Sequence, residues 1–436
     1  MAESQAMNPT LAPSKPTHAR YWVVVFAVTL AILSYIDRVC ISQAAPVISR
    51  DLGLSKADMG MVFGAFGLAY ALFEIPGGWL SDWMGPRKVL LRIVLWWSTF
   101  TAATGAAFSL GPLLVIRFLF GAGEAGCFPN LTKAFSVWLP SKEGVAAQGI
   151  MWTFARWGGA FTPPLVIRVF MYVSWRWAFV IFGALGCVWA VFFYVWYRDN
   201  PRDNKRVNAA ELALLRGSEQ RAAGHAAVPW AKLVSSRSIL LLWLQYFCLS
   251  FPWYFYITWL PTYLQESRKM SPQQSATYAI MPLLFGGFGS LVCGFLLSAL
   301  VRRGFSARIS RRVLATTGFI GASLLLTLSI QLPDAKWAML AMGLASFCND
   351  LAMPPSWAAC MDIGGKYAGT VSGSMNMMGN LAGFAAPVLG GYILQWTHGN
   401  WNSFLYLMAA VYLLGTFCWP FIDPVTPLDA SLEAAV

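Results

Sequence analysis

Residues 117–126 read RFLFGAGEAG, and Gly121 to Gly126 match G-x-G-x-x-G. The apolar run LLVIRFLF precedes the glycines, and an acid, Glu143, follows about twenty residues on. Locally this is the fingerprint of a dinucleotide-binding βαβ unit. Such a unit needs a helix that opens at the glycines and packs on a sheet within about 30 residues. Here Pro129 falls where that helix interior belongs, and the flanks are membrane-length apolar runs. The competing reading is a membrane helix whose glycines let a neighbouring backbone come close and make room around Glu124. Arg117 then lies two turns before Glu124 on one helix face.

Composition favours the membrane helix. Of 436 residues, 57% are hydrophobic and 11% are Asp, Glu, Lys or Arg, against roughly 25% charged in a soluble domain. Such a chain cannot cover itself with charge in water, so it reads as a polytopic membrane protein. The net charge of +12 raises nucleic acid as a partner. The basic residues instead fall in short clusters between apolar runs, the pattern of a positive-inside membrane protein, so no nucleic-acid partner is expected. None of the eight cysteines forms C-x-x-C; they read as small buried hydrophobes. His18, His225 and His398 fall in a tail or in loops, so no metal site and no cofactor is expected. The N-terminus is polar up to Arg20, unlike a cleaved signal peptide.

A helix crosses a bilayer with about 20 apolar residues. Twelve such runs occur, near 21–45, 57–80, 89–110, 112–137, 147–171, 176–197, 238–260, 274–300, 313–332, 337–358, 368–396 and 401–422. Twelve crossings put both termini on one side. The loops of that side carry 19 Lys and Arg and those of the other carry 6, which predicts that both termini are cytoplasmic. The chain divides into a tail over 1–20, a six-helix half over 21–197, a polar connector over 198–237, a second half over 238–422, and a tail over 423–436. The halves repeat. At an offset of 224, GIMWTFARWGGAFTPPL (149–165) aligns with GSMNMMGNLAGFAAPVL (373–389); near an offset of 216, GWLSDWMGPRK (78–88) has a weaker echo in GFLLSALVRRG (294–304). Paired halves of this kind suit transporters that rock around a midplane site.

GGWLSDWMGPRK, between the second and third runs, resembles the loop signature of the major facilitator superfamily. The resemblance implies an all-α fold of twelve transmembrane helices in two pseudo-symmetric halves. It also implies a gating motif of Gly78, Asp82, Gly85 and Arg87 that locks one face of the two halves; Ser298 replaces the acid in the second half. YIDR (35–38), GEAGCFPN (123–130) and RWGGAFTPP (156–164) are similar to the anion:cation symporter branch, which includes sugar-acid, hexuronate and aromatic-acid permeases. A monomeric multi-pass protein of a bacterial inner membrane is the expectation that follows.

Ionisable groups inside membrane helices are functional candidates by default. Here they are Asp37, Arg38, Glu74, Arg117, Glu124, Arg156 and Asp350. Arg38 supplies a permanent charge with planar donors suited to a carboxylate, and Tyr35 lies near its face. Asp37 and Glu124 are acids suited to taking up and releasing protons, with Arg117 as a switchable partner; a static ion cluster is the structural alternative. In the symporters this chain resembles, the matching helix-one acid and helix-four Glu carry coupling protons, and the matching Arg binds substrate. Tyr70, Trp357 and Asn376 match positions where related sugar-acid permeases touch substrate. Arg156, aligned with Asn380 of the repeat, either binds a second anionic group, caps the cavity floor, or pairs with Glu74 or Asp350. The aromatics of FPWYFYITWLPTYL (251–264) stack on a sugar, close one side, or form an interfacial belt.

The leading expectation is import of a carboxylate, such as a hexuronate, aldonate or aldarate, with protons, and with sodium as the other possible coupling ion. An aromatic-carboxylate permease and a proton-coupled effluxer of cations are the alternatives, the second disfavoured by Arg38 and Arg156. No nucleophile-base constellation or P-loop suggests an enzyme. A sensor that binds without moving cargo is the remaining class.

Overall fold

A computed structural model describes residues 15–215 and 230–428; the remaining parts of both tails and of the connector lie outside the described residues. Eighteen α-helices occur among the described residues, and no strand. Before the connector come α1 (Tyr21–Leu52), α2 (Lys56–Met84), α3 (Pro86–Thr104), α4 (Leu110–Glu124), α5 (Cys127–Trp138), α6 (Ser141–Phe170) and α7 (Trp175–Trp196). The connector carries α8 (Ala209–Leu215) and α9 (Trp230–Ser235). After it come α10 (Arg237–Thr258), α11 (Leu260–Glu266), α12 (Pro272–Tyr278), α13 (Ile280–Arg302), α14 (Ala307–Gln331), α15 (Ala335–Asp350), α16 (Met353–Gly364), α17 (Ala368–Trp396) and α18 (Trp401–Cys418).

Each of the twelve apolar runs is largely helical, and nine helical segments among the described residues are long and apolar enough to cross a membrane. Their outer faces are apolar: Phe192, Val195, Leu324 and Phe295 are all more than 60% exposed. In water such a surface would aggregate; against lipid it is stable. Turn chemistry follows the sequence. Gly53, at φ 64°, ends α1 and donates its N–H to the Ser49 carbonyl. Pro86 opens α3, where no N–H is needed. Ser271 and Gln274 cap α12 reciprocally.

The runs are not all continuous helices. That over 112–137 breaks at 125–126, between α4 and α5, and that over 337–358 breaks at 351–352, between α15 and α16. Gly126 takes φ 85°, a conformation that a side chain would strain. Apolar periodicity cannot show such a break, because both segments keep an apolar face. Each break directly follows a buried acid, Glu124 or Asp350. Non-helical backbone at membrane depth survives where protein buries it.

The helices before and after the connector meet chiefly along α2 with α17 and α6 with α13. One face of the molecule holds the connector; the opposite face holds the α1–α2 and α11–α12 turns. On that opposite face α2 and α17 are in backbone contact. A Cβ on Gly67 would lie 2.5 Å from the Gly383 carbonyl carbon, and one on Gly60 would lie 2.5 Å from the Pro387 oxygen. Lys56 bonds Glu266 across the same face, and the Trp259 indole donates to the Pro387 carbonyl at 3.1 Å. Toward the connector face, a Cβ on Gly149 or on its repeat partner Gly373 would meet nothing within 4 Å. Contact of α2 with α17 at one face and open glycines at the other leave the central cavity closed on one side.

The connector also clasps the start of α1. Glu211 of α8 is fully buried and accepts from the Arg20 backbone N–H at 3.1 Å and from its Nη1 at 3.2 Å. The Arg20 Nε lies 2.9 Å from Glu143 at the start of α6. Removing Glu211 leaves Arg20 paired with Glu143 but strands its buried backbone N–H, at a cost of about 1–3 kcal/mol. Glu211→Ala is therefore expected to lower the thermal unfolding midpoint of the detergent-purified protein markedly, and an unchanged midpoint would exclude this clasp as a stabilising contact.

Candidate functional site

Arg38 projects from the buried middle of α1, where its Nε bonds the Glu124 carboxylate at 2.8 Å. Ser34, one turn earlier, donates its hydroxyl to the same carboxylate oxygen. The guanidinium carbon lies 4.8 Å from the Tyr70 ring centre, 5.6 Å from that of Tyr35 and 5.8 Å from that of Phe128, so aromatic faces share in stabilising the cation. Glu124 is the last residue of α4. A helix C-terminus carries partial negative charge, and the carboxylate adds to it, which is why a cation belongs there. The glycines around Glu124 permit the packing: a Cβ on Gly121 would lie 2.5 Å from the Phe66 carbonyl oxygen, and one on Gly126 2.8 Å from the Gly77 carbonyl carbon, both in α2. GAGEAG is thus a helix-packing element.

A second acid-arginine pair has the same construction. Asp350 is the last residue of α15 and is fully buried. Arg156 reaches it from α6, with Nη2 3.2 Å from each carboxylate oxygen, and Asn349 donates to one of them at 2.8 Å. The Arg156 guanidinium lies 4.8 Å from the Trp253 ring centre.

Both arginines border one cavity of about 70 Å³. Tyr35, Tyr70 and Asn376 border it too, as do Trp253, Tyr254 and Asn380. The repeat is visible in its walls, because Trp152 and Arg156 of α6 and their counterparts Asn376 and Asn380 of α17 all face it. Phe128 and Trp152 stack at 4.5 Å. Glu74 of α2 holds the asparagine pair from behind: Asn376 donates to it, and Asn380 donates at 3.2 Å. Tyr254 donates to the Asn380 side-chain oxygen at 2.8 Å.

Several expectations change. Arg156 pairs with Asp350 and not with Glu74, because Glu74 is already taken by the α17 asparagines. Trp357 does not border the cavity; it packs edge-on against Tyr246 at 6.2 Å, which does. Arg117 makes no ion pair with Asp37 or Glu124 among the described residues. Its guanidinium lies 4.5 Å from the Phe120 ring centre and 5.4 Å from that of Phe66. Sharing a helix face with Glu124 brings no bond, because the Glu124 carboxylate turns toward α1. Asp37 is 2% exposed, and neither of its oxygens has a hydrogen-bond partner among the described residues; Glu124 and Arg117 are its charged neighbours. The residues from Phe251 to Leu264 are buried inside the protein, so they form no interfacial belt.

Of the gating motif, Gly78 and Asp82 lie outside the residues whose side chains are described. Gly85 takes φ 80°, and a Cβ there would lie 2.8 Å from Asp199. Arg87 is held by the end of α7. Its backbone N–H donates to Asp199 at 2.8 Å, and its Nη2 donates to the Tyr194 carbonyl at 2.7 Å. Burial raises the Asp199 carboxyl above its ordinary pKa against the pull of Arg87. Arg87 is therefore engaged by the end of α7 and the first residues of the connector, a partnership that a loop signature cannot name because Asp199 comes 112 residues later.

Tyr246, Ser250 and Phe128 are cavity residues that the sequence did not single out. A signal existed for two of them: Tyr246, Ser250 and Tyr254 recur every four residues and so share one face of α10. No group of three or more His, Cys, Asp or Glu is placed to hold a metal among the described residues. The eight cysteines are free; Cys187 is exposed on the apolar outer surface and Cys348 is half-buried.

A family model described as the Major Facilitator Superfamily matches residues 27–387. The chain is 36% identical over 418 residues to a probable sulfoacetate transporter of Cupriavidus necator, covering 95% of this chain and 96% of that protein. It is 29% identical to a D-galactonate transporter of Escherichia coli, covering 93% and 96%. Among solved structures, it resembles a bacterial homologue of the human lysosomal transporter Spinster, captured inward-facing and unoccupied, with TM-score 0.72 at 20% identity over 93% of this chain and 98% of that one.

Proposed function

The chain belongs to the major facilitator superfamily, and from that premise we propose that this multi-pass transporter imports a small organic anion together with protons. The observation that carries the reading is Arg38 at the cavity wall, bonded to Glu124 behind it. An arginine beside a proton-accepting acid links the two ligands. With Glu124 ionised, the guanidinium is engaged by its own carboxylate. With Glu124 protonated, that attraction falls and the cation is free for a substrate carboxylate. Each ligand then favours binding of the other, as reciprocal coupling requires. Asp37, buried with both oxygens unbonded among the described residues and next in charge to Glu124, is the second proton carrier of this scheme.

The relatives' names support an anionic cargo, since they are transporters of sulfoacetate, D-galactonate, hexuronate and galactarate or D-glucarate. Tyr35, Tyr70 and Asn376 supply polar contacts for its hydroxyl and acid groups, and the surrounding rings exclude water. Access alternates between the two faces of a bacterial inner membrane, with both termini in the cytoplasm. The charge of the loops supports that orientation.

Counterflow tests the reading. Proteoliposomes preloaded with sulfoacetate, galactonate or glucuronate should take up the labelled form of at least one of them. Exchange of lipophilic cations, with none of these anions exchanged, would replace import of anions with efflux of cations.

A further inference from the structure

Resting on that reading, we infer that the cargo carries two acidic groups, and that Arg156 selects for the second. Arg38 and Arg156 are each more than nine-tenths buried. Each is bonded on one side to an acid that ends a helix, and each keeps another guanidinium nitrogen, Nη2 of Arg38 and Nη1 of Arg156, without a hydrogen-bond partner among the described residues. Both border the same cavity of about 70 Å³, so a single cargo site has an arginine from α1 and one from α6 in its wall. Among the described residues no carboxylate borders that cavity; Glu124 and Asp350 stand behind their arginines and Glu74 behind its asparagines. The space open to cargo therefore meets two cations and no anion.

A monoanion satisfies one of these cations and leaves the other with a buried, unmatched donor, which is costly. A dianion satisfies both. Arg suits this role better than Lys because its planar fork can keep bonding Asp350 with one nitrogen while another, Nη1, is left without a partner. A tie between α6 and α15 that serves only to hold helices together would not need an arginine that borders the cavity and keeps one nitrogen unpartnered.

The test compares matched ligands that differ by one charge: sulfoacetate against isethionate, and galactarate against galactonate. Each is measured by competition in counterflow with reconstituted protein. The wild-type protein should prefer the dianion of each pair. In Arg156→Gln the preference should fall by about 10- to 100-fold, the worth of one charge-assisted bond. Arg156→Lys, which keeps the charge without the fork, should fall only part of the way. The ratio is taken within each preparation, so it does not depend on how much variant folds. A wild type that favours the monoanions, or a ratio that Arg156→Gln and Arg156→Lys leave unchanged, overturns the inference while leaving anion transport standing. Exchange of none of the four anions by the wild type overturns both.

Discussion

Arg38→Ala is expected to abolish counterflow of every anionic substrate, with a loss of about 100-fold or more in apparent affinity. The size follows from what the side chain does. It offers a cation, flanked by the Tyr35, Tyr70 and Phe128 rings, to a cavity enclosed among buried helices. Charge-assisted hydrogen bonds contribute about 1.5–3 kcal/mol each, and a planar guanidinium can make two. The substitution also strands Glu124, a fully buried carboxylate, with only Ser34 as a bonding partner among the described residues, so it removes a ligand for the anion and leaves a like charge close to the site. Arg38→Lys separates the two effects. It restores a counter-charge for Glu124 but not the fork, and should recover folding with weak transport. Undiminished counterflow of all carboxylates in Arg38→Ala would show that the anion binds elsewhere.

Glu124→Gln should separate movement of the anion from use of the gradient. Glutamine has the same shape, and its carbonyl oxygen can still accept from Ser34 and from the Arg38 Nε, which lies 2.8 Å from the native carboxylate oxygen. It cannot release a proton. The variant should therefore exchange labelled for unlabelled anion while failing to accumulate it against a concentration difference when an inward proton gradient is imposed. The expected pattern is counterflow within a few-fold of wild type and accumulation reduced to equilibration. Glu124→Gln that still accumulates as strongly as wild type would remove Glu124 from the coupling route and leave Asp37 to carry it alone.

The fold is legible because its signals are long-range in composition and short-range in chemistry. Apolar runs mark the helices, and the 149–165 and 373–389 repeat sets Trp152, Arg156, Asn376 and Asn380 as counterparts, all of which face one cavity. What a linear sequence cannot supply is the direction in which a charged side chain turns. Arg117 and Glu124 share a helix face, yet Glu124 bonds Arg38 of α1 and Arg117 lies against Phe66 and Phe120. By sequence alone Asp350 and Glu74 are equal candidates to pair with Arg156; the α17 asparagines decide between them by occupying Glu74. The helix breaks after Glu124 and Asp350 are hidden for a related reason. Each depends on tertiary contacts, such as Gly126 against Gly77 of α2, which leave the apolar pattern of the segment unchanged.

The central claim is that anion and proton move together. Purified protein in sealed proteoliposomes, with a pH indicator trapped inside and no imposed sodium gradient, measures it directly. Adding external sulfoacetate or galactarate should acidify the lumen, the rate should saturate with anion concentration, and Glu124→Gln should abolish the acidification. Uptake of labelled anion with no change in luminal pH, or uptake that appears only under an inward sodium gradient, would contradict the account.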